Sequence, residues 1–156
     1  MEWKAAKPVF LQGKELEMNI QGVFRTQLDL RVIEEPIYIL ITAASLYKLR
    51  INGVFRVYGP ARAAHGYAAV DRVRIDEYIQ HGENLLEIEV AGYNCPTYYT
   101  IDQPSFLMAE VVTQSGHVLC ATGRDFAGAW KCQREQKVMR YSFQRAFTEI
   151  LDYRRA

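Results

Sequence analysis

Apolar and polar residues alternate along much of this chain, over short runs whose period of two marks strands with one buried face. In "FRTQLDL", Phe24, Thr26, Leu28 and Leu30 share one face, while Arg25, Gln27 and Asp29 share the other. "LYKLRIN" sets Tyr47, Leu49 and Ile51 against Lys48, Arg50 and Asn52. "NLLEIEV" sets Leu86, Ile88 and Val90 against Glu87 and Glu89. "IYILIT" (37–42) is apolar on both sides, as a central strand should be. "SFLMAEVV" and "HVLCAT" are further runs, parted by the turn residues "TQSG".

The punctuation fits the same picture. Asn52-Gly53 suits a two-residue type I′ hairpin, because both central positions need positive φ. Gln114-Ser115-Gly116 suits a three- or four-residue hairpin. Gly59-Pro60 breaks the strand that begins after Asn52-Gly53. An arm carrying Arg62, His65 and Tyr67 then leads to a strand from Ala69 to Ile75. A short helical turn is expected from Asp76 to Gln80, with Asp76 capping it by accepting a backbone N–H, and "HGEN" launches the next strand. The closing "YSFQRAFTEILDYRR" fits both helical spacing and an extended strand; its first half reads as extended, and residues 144–153 stay open between strand and helix. With about eight to ten short strands and no βαβ alternation, the expected fold is all-β: an antiparallel β-sandwich or jelly roll. No linker or repeat divides it, so residues 1–156 read as a single domain.

Composition narrows the function classes. Nearly half the residues are apolar, aromatic residues are abundant, and the formal charge is +1, which gives no push towards nucleic acid. Cys95, Cys120 and Cys132 are odd in number and irregular in spacing, which points to reduced thiols and a cytoplasmic setting. The first residues lack the apolar core of about 7–15 residues that a signal peptide needs. No run approaches the roughly 18 apolar residues of a membrane span.

Catalytic constellations are scarce. Glu87 and Glu89, two apart on one strand face, have Cα atoms ~6.6 Å apart. That spacing resembles a pair of hydrolytic carboxylates, but any such pair on the wet face of a strand gives it, so both are expected to be solvated. His65, His81 and His117 are scattered, and no metal-ligand spacing or nucleophile elbow occurs. No cofactor is expected on these grounds. Cys120 alternates with apolar residues and reads as a small core side chain. Arg56, Arg62, Arg72 and Arg74 interleave with Tyr58 and Tyr67, yet Asp71, Asp76 and Glu77 offset them. The stretch "GYNCPTYYTIDQPS" (92–105) is a long loop without alternation. Its tyrosines either anchor it to the sandwich or face a neighbouring domain; alternatively Tyr93, Asn94, Tyr98, Tyr99 and Asp102 form a sugar platform of aromatic faces beside amide and carboxylate groups.

"LYKLRINGVFRVYGPAR" and, after it, "GYAAVDRVRIDEYIQHGENLLEIEVAGYN" resemble the N-terminal β-sandwich of bacterial α-L-rhamnosidase-like proteins, glycoside hydrolase family 78. "DQPSFLMAEV" and "SFQRAFTEILDYR" are also similar to the next segments of such proteins, so the resemblance spans residues 8 to 153. It implies a galactose-binding-like jelly roll that forms the N-terminal fragment of a longer multidomain glycosidase. Hydrolysis in that family resides in a separate barrel, so the resemblance implies no catalytic residue here and a scaffolding or docking role. Arg62, His65 and Tyr67 are then candidates for the surface that meets the catalytic domain of the same polypeptide, with rhamnose-containing glycans as possible ligands. Some related sandwiches bind rhamnose through calcium; no matching acidic loop occurs here, and calcium is left open.

Overall fold

The computed structural model describes residues 2–64, 66–94, 96, 101–134 and 151–152, with side chains through residue 129. Among the described residues ten strands run in chain order: β1 Ile20–Leu30, β2 Ile37–Ala43, β3 Leu46–Ile51, β4 Val54–Gly59, β5 Asp71–Arg74, β6 Gly82–Gly92, β7 Leu107–Thr113, β8 Val118–Ala121, β9 Ala127–Arg134 and β10 Leu151–Asp152. They form a six-stranded sheet in the order β10-β9-β1-β6-β3-β4 and a four-stranded sheet in the order β5-β2-β7-β8. Every pairing is antiparallel. The all-β sandwich expected from the alternation is what the chain forms.

Two inner faces meet to make the core. Phe24 and Leu28 of β1, Leu49 and Ile51 of β3, and Leu86 and Ile88 of β6 press against Ile39 and Ile41 of β2 and Ala109 and Val111 of β7. Withdrawing each large aliphatic side chain from water favours the fold by about 1.5–3 kcal/mol. β2 is buried on both faces apart from half-buried Tyr38, as its continuous apolar run predicts.

Turn chemistry fixes the register. Asn52 and Gly53 take φ of 52° and 77°, the left-handed pair that a type I′ turn demands, and Ile51 faces Val54 across it. At the second hairpin, Gly116 lies at φ 89° and Thr113 bonds His117, leaving a three-residue loop. Asp76–Tyr78 is a turn closed by the Tyr78 N–H on the Ile75 carbonyl at 2.9 Å, and the described residues contain no helix. Asp76 does accept a backbone N–H, but that of Ile37 on β2, at 3.4 Å.

Two features were not legible beforehand. β9, "AGAWKCQR", shows no alternation, and at Gly128 the inner face has no room for a side chain, because a Cβ there would meet the Phe24 ring at 2.8 Å. The first residues of β1, Ile20–Val23, are buried on both faces and so show no period of two. Of the ambiguous closing segment only Leu151–Asp152 lies within the described residues, as a two-residue strand on β9.

Candidate functional site

The two sheets come together at one side of the sandwich, where edge strands β4 and β5 lie and where the arm from Pro60 to Val70 passes from one sheet to the other. Tyr47 of β3 donates its phenol to Asp71 of β5 at 2.5 Å. Burial, then the Asp71 carboxylate, pushes the phenol pKa well above its ordinary value. Gly59, which pairs with Tyr47, packs directly on this bond; a Cβ would clash with Asp71 and meet the Tyr47 ring at 2.9 Å. Beside it the Arg56 guanidinium lies 4.2 Å from the Tyr78 ring centre, and Arg72 lies 3.6 Å from that of Tyr38. Arg56 is the extra residue of a bulge, since Leu49 faces Val57 and Arg50 faces Phe55.

Apolar and aromatic side chains are exposed around this side, beside exposed Lys48 and Arg62. Phe55 and Tyr58 of β4 are 51% and 70% exposed, and Tyr67 in the arm is 76% exposed. Leu46 and Val54 are exposed nearby in β3 and β4. Of the arm residues named from the sequence, Arg62 and Tyr67 are exposed, and His65 lies outside the described residues.

The paired carboxylates of β6 are not solvated as expected. Glu89 is 9% exposed and Glu87 is half-buried. Both point to the outer face of the six-stranded sheet, but β6 is central there, and arginines from both neighbours close over them. Arg25 of β1 bonds Glu87 at 2.6 Å, and Arg50 of β3 reaches Glu89 at 3.2 Å and Glu87 at 3.9 Å. Each carboxylate is thus committed to a guanidinium in its neighbour strand, which is the arrangement of a structural ion-pair ladder.

The long loop is divided. Tyr93 is buried, its N–H donating to Ser45 at 3.3 Å and its carbonyl accepting the Asn19 N–H at 3.1 Å. Asn94 is half-buried with φ 44°, and its amide donates to the Leu16 carbonyl at 2.5 Å. Asp102 is exposed; Tyr98 and Tyr99 lie outside the described residues.

Sequence reasoning did not single out Glu110. It is fully buried on the outer face of the four-stranded sheet and accepts the backbone N–H groups of Lys4, Ala5 and Ala6 at 3.0–3.2 Å. The N-terminal segment is thereby strapped across that face. In sequence Glu110 reads as one more polar position in an alternating strand, and its partners lie far along the chain.

Cys120 is buried, as its position in an apolar run predicts, and burial pushes its thiol up to about 12, too high to supply thiolate at neutral pH. Among the described residues no group of three or more His, Cys, Asp or Glu converges to hold a metal, and no helix is long and apolar enough to cross a membrane.

No family model matches the sequence, and neither does any curated protein. Solved structures do match. A rhamnosidase of the GH78 family from Bacillus sp. GL1 is similar over 99% of this chain with a TM-score of 0.86 and 26% identity, and the match occupies 16% of that chain. The α-L-rhamnosidase of Streptomyces avermitilis matches 80% of this chain at a TM-score of 0.59 and 13% identity, over 12% of its own length. The lectin of Pleurotus ostreatus matches 85% at 0.57 and 14%, over 36% of its length. The fold is therefore that of β-sandwich domains found in sugar-active proteins. Within that class, nearly the whole chain is similar to a domain-sized part of the Bacillus GH78 rhamnosidase, and it spans only about a sixth of that enzyme's length.

Proposed function

We propose that this chain is a noncatalytic accessory domain of an α-L-rhamnosidase-like glycoside hydrolase, and that it scaffolds or docks a separate catalytic domain of the same polypeptide. The observation that carries this reading is the match of nearly the whole chain to a small part of the Bacillus rhamnosidase. Two further observations support it. The β6 carboxylates are tied to Arg25 and Arg50, as in a structural ion-pair ladder. The β3–β4 side offers Leu46, Val54, Phe55 and Tyr58 to a partner, the kind of apolar patch that marks interaction surfaces. Arg62 and Tyr67 are exposed in the connection between β4 and β5, and the docking reading takes in His65 of the same stretch of sequence.

The competing reading is glycan capture by the loop of Tyr93, Asn94, Tyr98, Tyr99 and Asp102. Two measurements on the purified chain separate them. A docking domain gives no heat on titration with L-rhamnose, and it self-associates at high concentration through its apolar side. Sedimentation should then show the association weakened in a Phe55→Ser, Tyr58→Ser double variant. Saturable heat that disappears in Tyr98→Ala would replace docking with glycan binding.

A further inference from the structure

Asn-Gly is the dipeptide at which a polypeptide most readily modifies itself, and Asn52-Gly53 sits at an exposed hairpin tip where a Cβ on Gly53 would meet nothing within 4 Å. The open approach to Gly53 suits attack by its backbone nitrogen on the Asn52 side-chain carbonyl carbon. The carbon–Nδ2 bond then breaks, ammonia leaves, and a cyclic imide forms; water opens the imide to aspartate or isoaspartate.

The structure opposes this reaction at both ends of the carboxamide. Asn52 Oδ1 accepts the Leu85 N–H at 2.9 Å, and Asn52 Nδ2 donates to Asn84 Oδ1 at 3.0 Å. Asn84 is buried and cannot turn its amide round. Its Oδ1 also accepts the Gln80 N–H at 2.8 Å, and its Nδ2 donates to the Gln80 and Gly82 carbonyls at 2.7 and 3.0 Å. To present its carbonyl carbon to Gly53, Asn52 must release both bonds.

We propose that Asn52 is a latent deamidation site which Asn84 holds closed, and that opening of the β3–β4 hairpin arms it. The change is one-way. Aspartate at this position has no donor for Asn84 Oδ1 and sets two acceptors against each other. Isoaspartate adds an atom to the backbone and breaks the type I′ geometry. Deamidation would therefore weaken the edge hairpin that carries Phe55 and Tyr58.

The test is peptide mapping by mass spectrometry after incubation at mildly alkaline pH, comparing the native chain, the same chain in urea and Asn84→Ala. Conversion at Asn52 should be at least about tenfold slower in the native chain than in urea, since reaction is limited to the open fraction. Asn84→Ala, where circular dichroism shows it folded, should recover much of that difference. Equal rates in native and unfolded chains would overturn the proposal, as would a folded Asn84→Ala no faster than the parent. Should that variant not fold, exchange of the Leu85 amide decides: the slowing of deamidation in the native chain relative to urea must match the protection of that amide, and a slowing far short of it would reject the gate.

Discussion

The phenol of Tyr47 and the carboxylate of Asp71 meet at 2.5 Å and join β3 of one sheet to β5 of the other. A short hydrogen bond to a charged acceptor is among the stronger polar contacts a fold can make. Tyr47→Phe keeps the packing and leaves Asp71 without its donor, so it should cost about 1–3 kcal/mol in urea denaturation. Gly59→Ala drives a methyl group into the same bond and should cost at least as much, about 2–3 kcal/mol. A neutral result for both would mean that the sheets are held by apolar contact alone.

Because the folded phenol is raised, the Tyr47 contribution is complete below the ordinary tyrosine pKa of ~10 and is lost as pH rises beyond it. Ultraviolet titration should show one tyrosine that stays neutral until the fold opens in alkali. Ionisation of all tyrosines at the ordinary value, with the fold intact, would contradict the buried bond.

Asp76 provides the acid counterpart. Two bonds of 2.8 Å from Arg74, the larger cause, and the Ile37 N–H hold its carboxyl below the ordinary carboxylate range. Its contribution is therefore present above an unfolded pKa of ~3.9 and is lost as pH falls through the folded value. Carbon-detected NMR titration should place Asp76 low in the parent and nearer the ordinary value in Arg74→Met.

Glu110 should matter more than any exposed ion pair. Glu110→Ala leaves the amides of Lys4, Ala5 and Ala6 without their acceptor and should cost about 3 kcal/mol or more. Glu110→Gln keeps one acceptor oxygen but turns an N–H₂ towards amide donors, so a smaller loss is expected. Hydrogen exchange at residues 4–6 should accelerate in both variants. Unchanged protection there would mean the strap is held by something other than this carboxylate.

On the outer face of the large sheet, Arg50 serves two carboxylates and Arg25 one. Of the two, Glu89, which only Arg50 reaches among the ion pairs of the described residues, is the more deeply sunk. Arg50→Met should accordingly cost about 2 kcal/mol, against under about 1 kcal/mol for Arg25→Met, whose guanidinium is half exposed. Equal costs would argue against a ladder.

The features legible in the sequence were those written in neighbouring residues. Alternation located the second half of β1 and β3, β6, β7 and β8, a continuous apolar run located β2, and Asn52-Gly53 and Ser115-Gly116 fixed two hairpins. β9 escaped because Gly128 lies under the Phe24 ring, where an apolar side chain would otherwise advertise a strand. Glu89 looked wet because period two says which face a residue takes, not that arginines from β1 and β3 will cover it. Glu110 and Asp71 find their partners across the fold, from residues 4–6 and from Tyr47, and no local pattern encodes such meetings. For the candidate site the arm and loop were identified as segments, but the burial of Tyr93 was not legible.

The role proposed for this chain is to assist hydrolysis performed elsewhere. Its most direct test is turnover of an aryl α-L-rhamnoside by the purified chain alone. A rate indistinguishable from buffer is predicted. Hydrolysis that survives repeated purification and falls away in Glu87→Gln or Glu89→Gln would rule that role out.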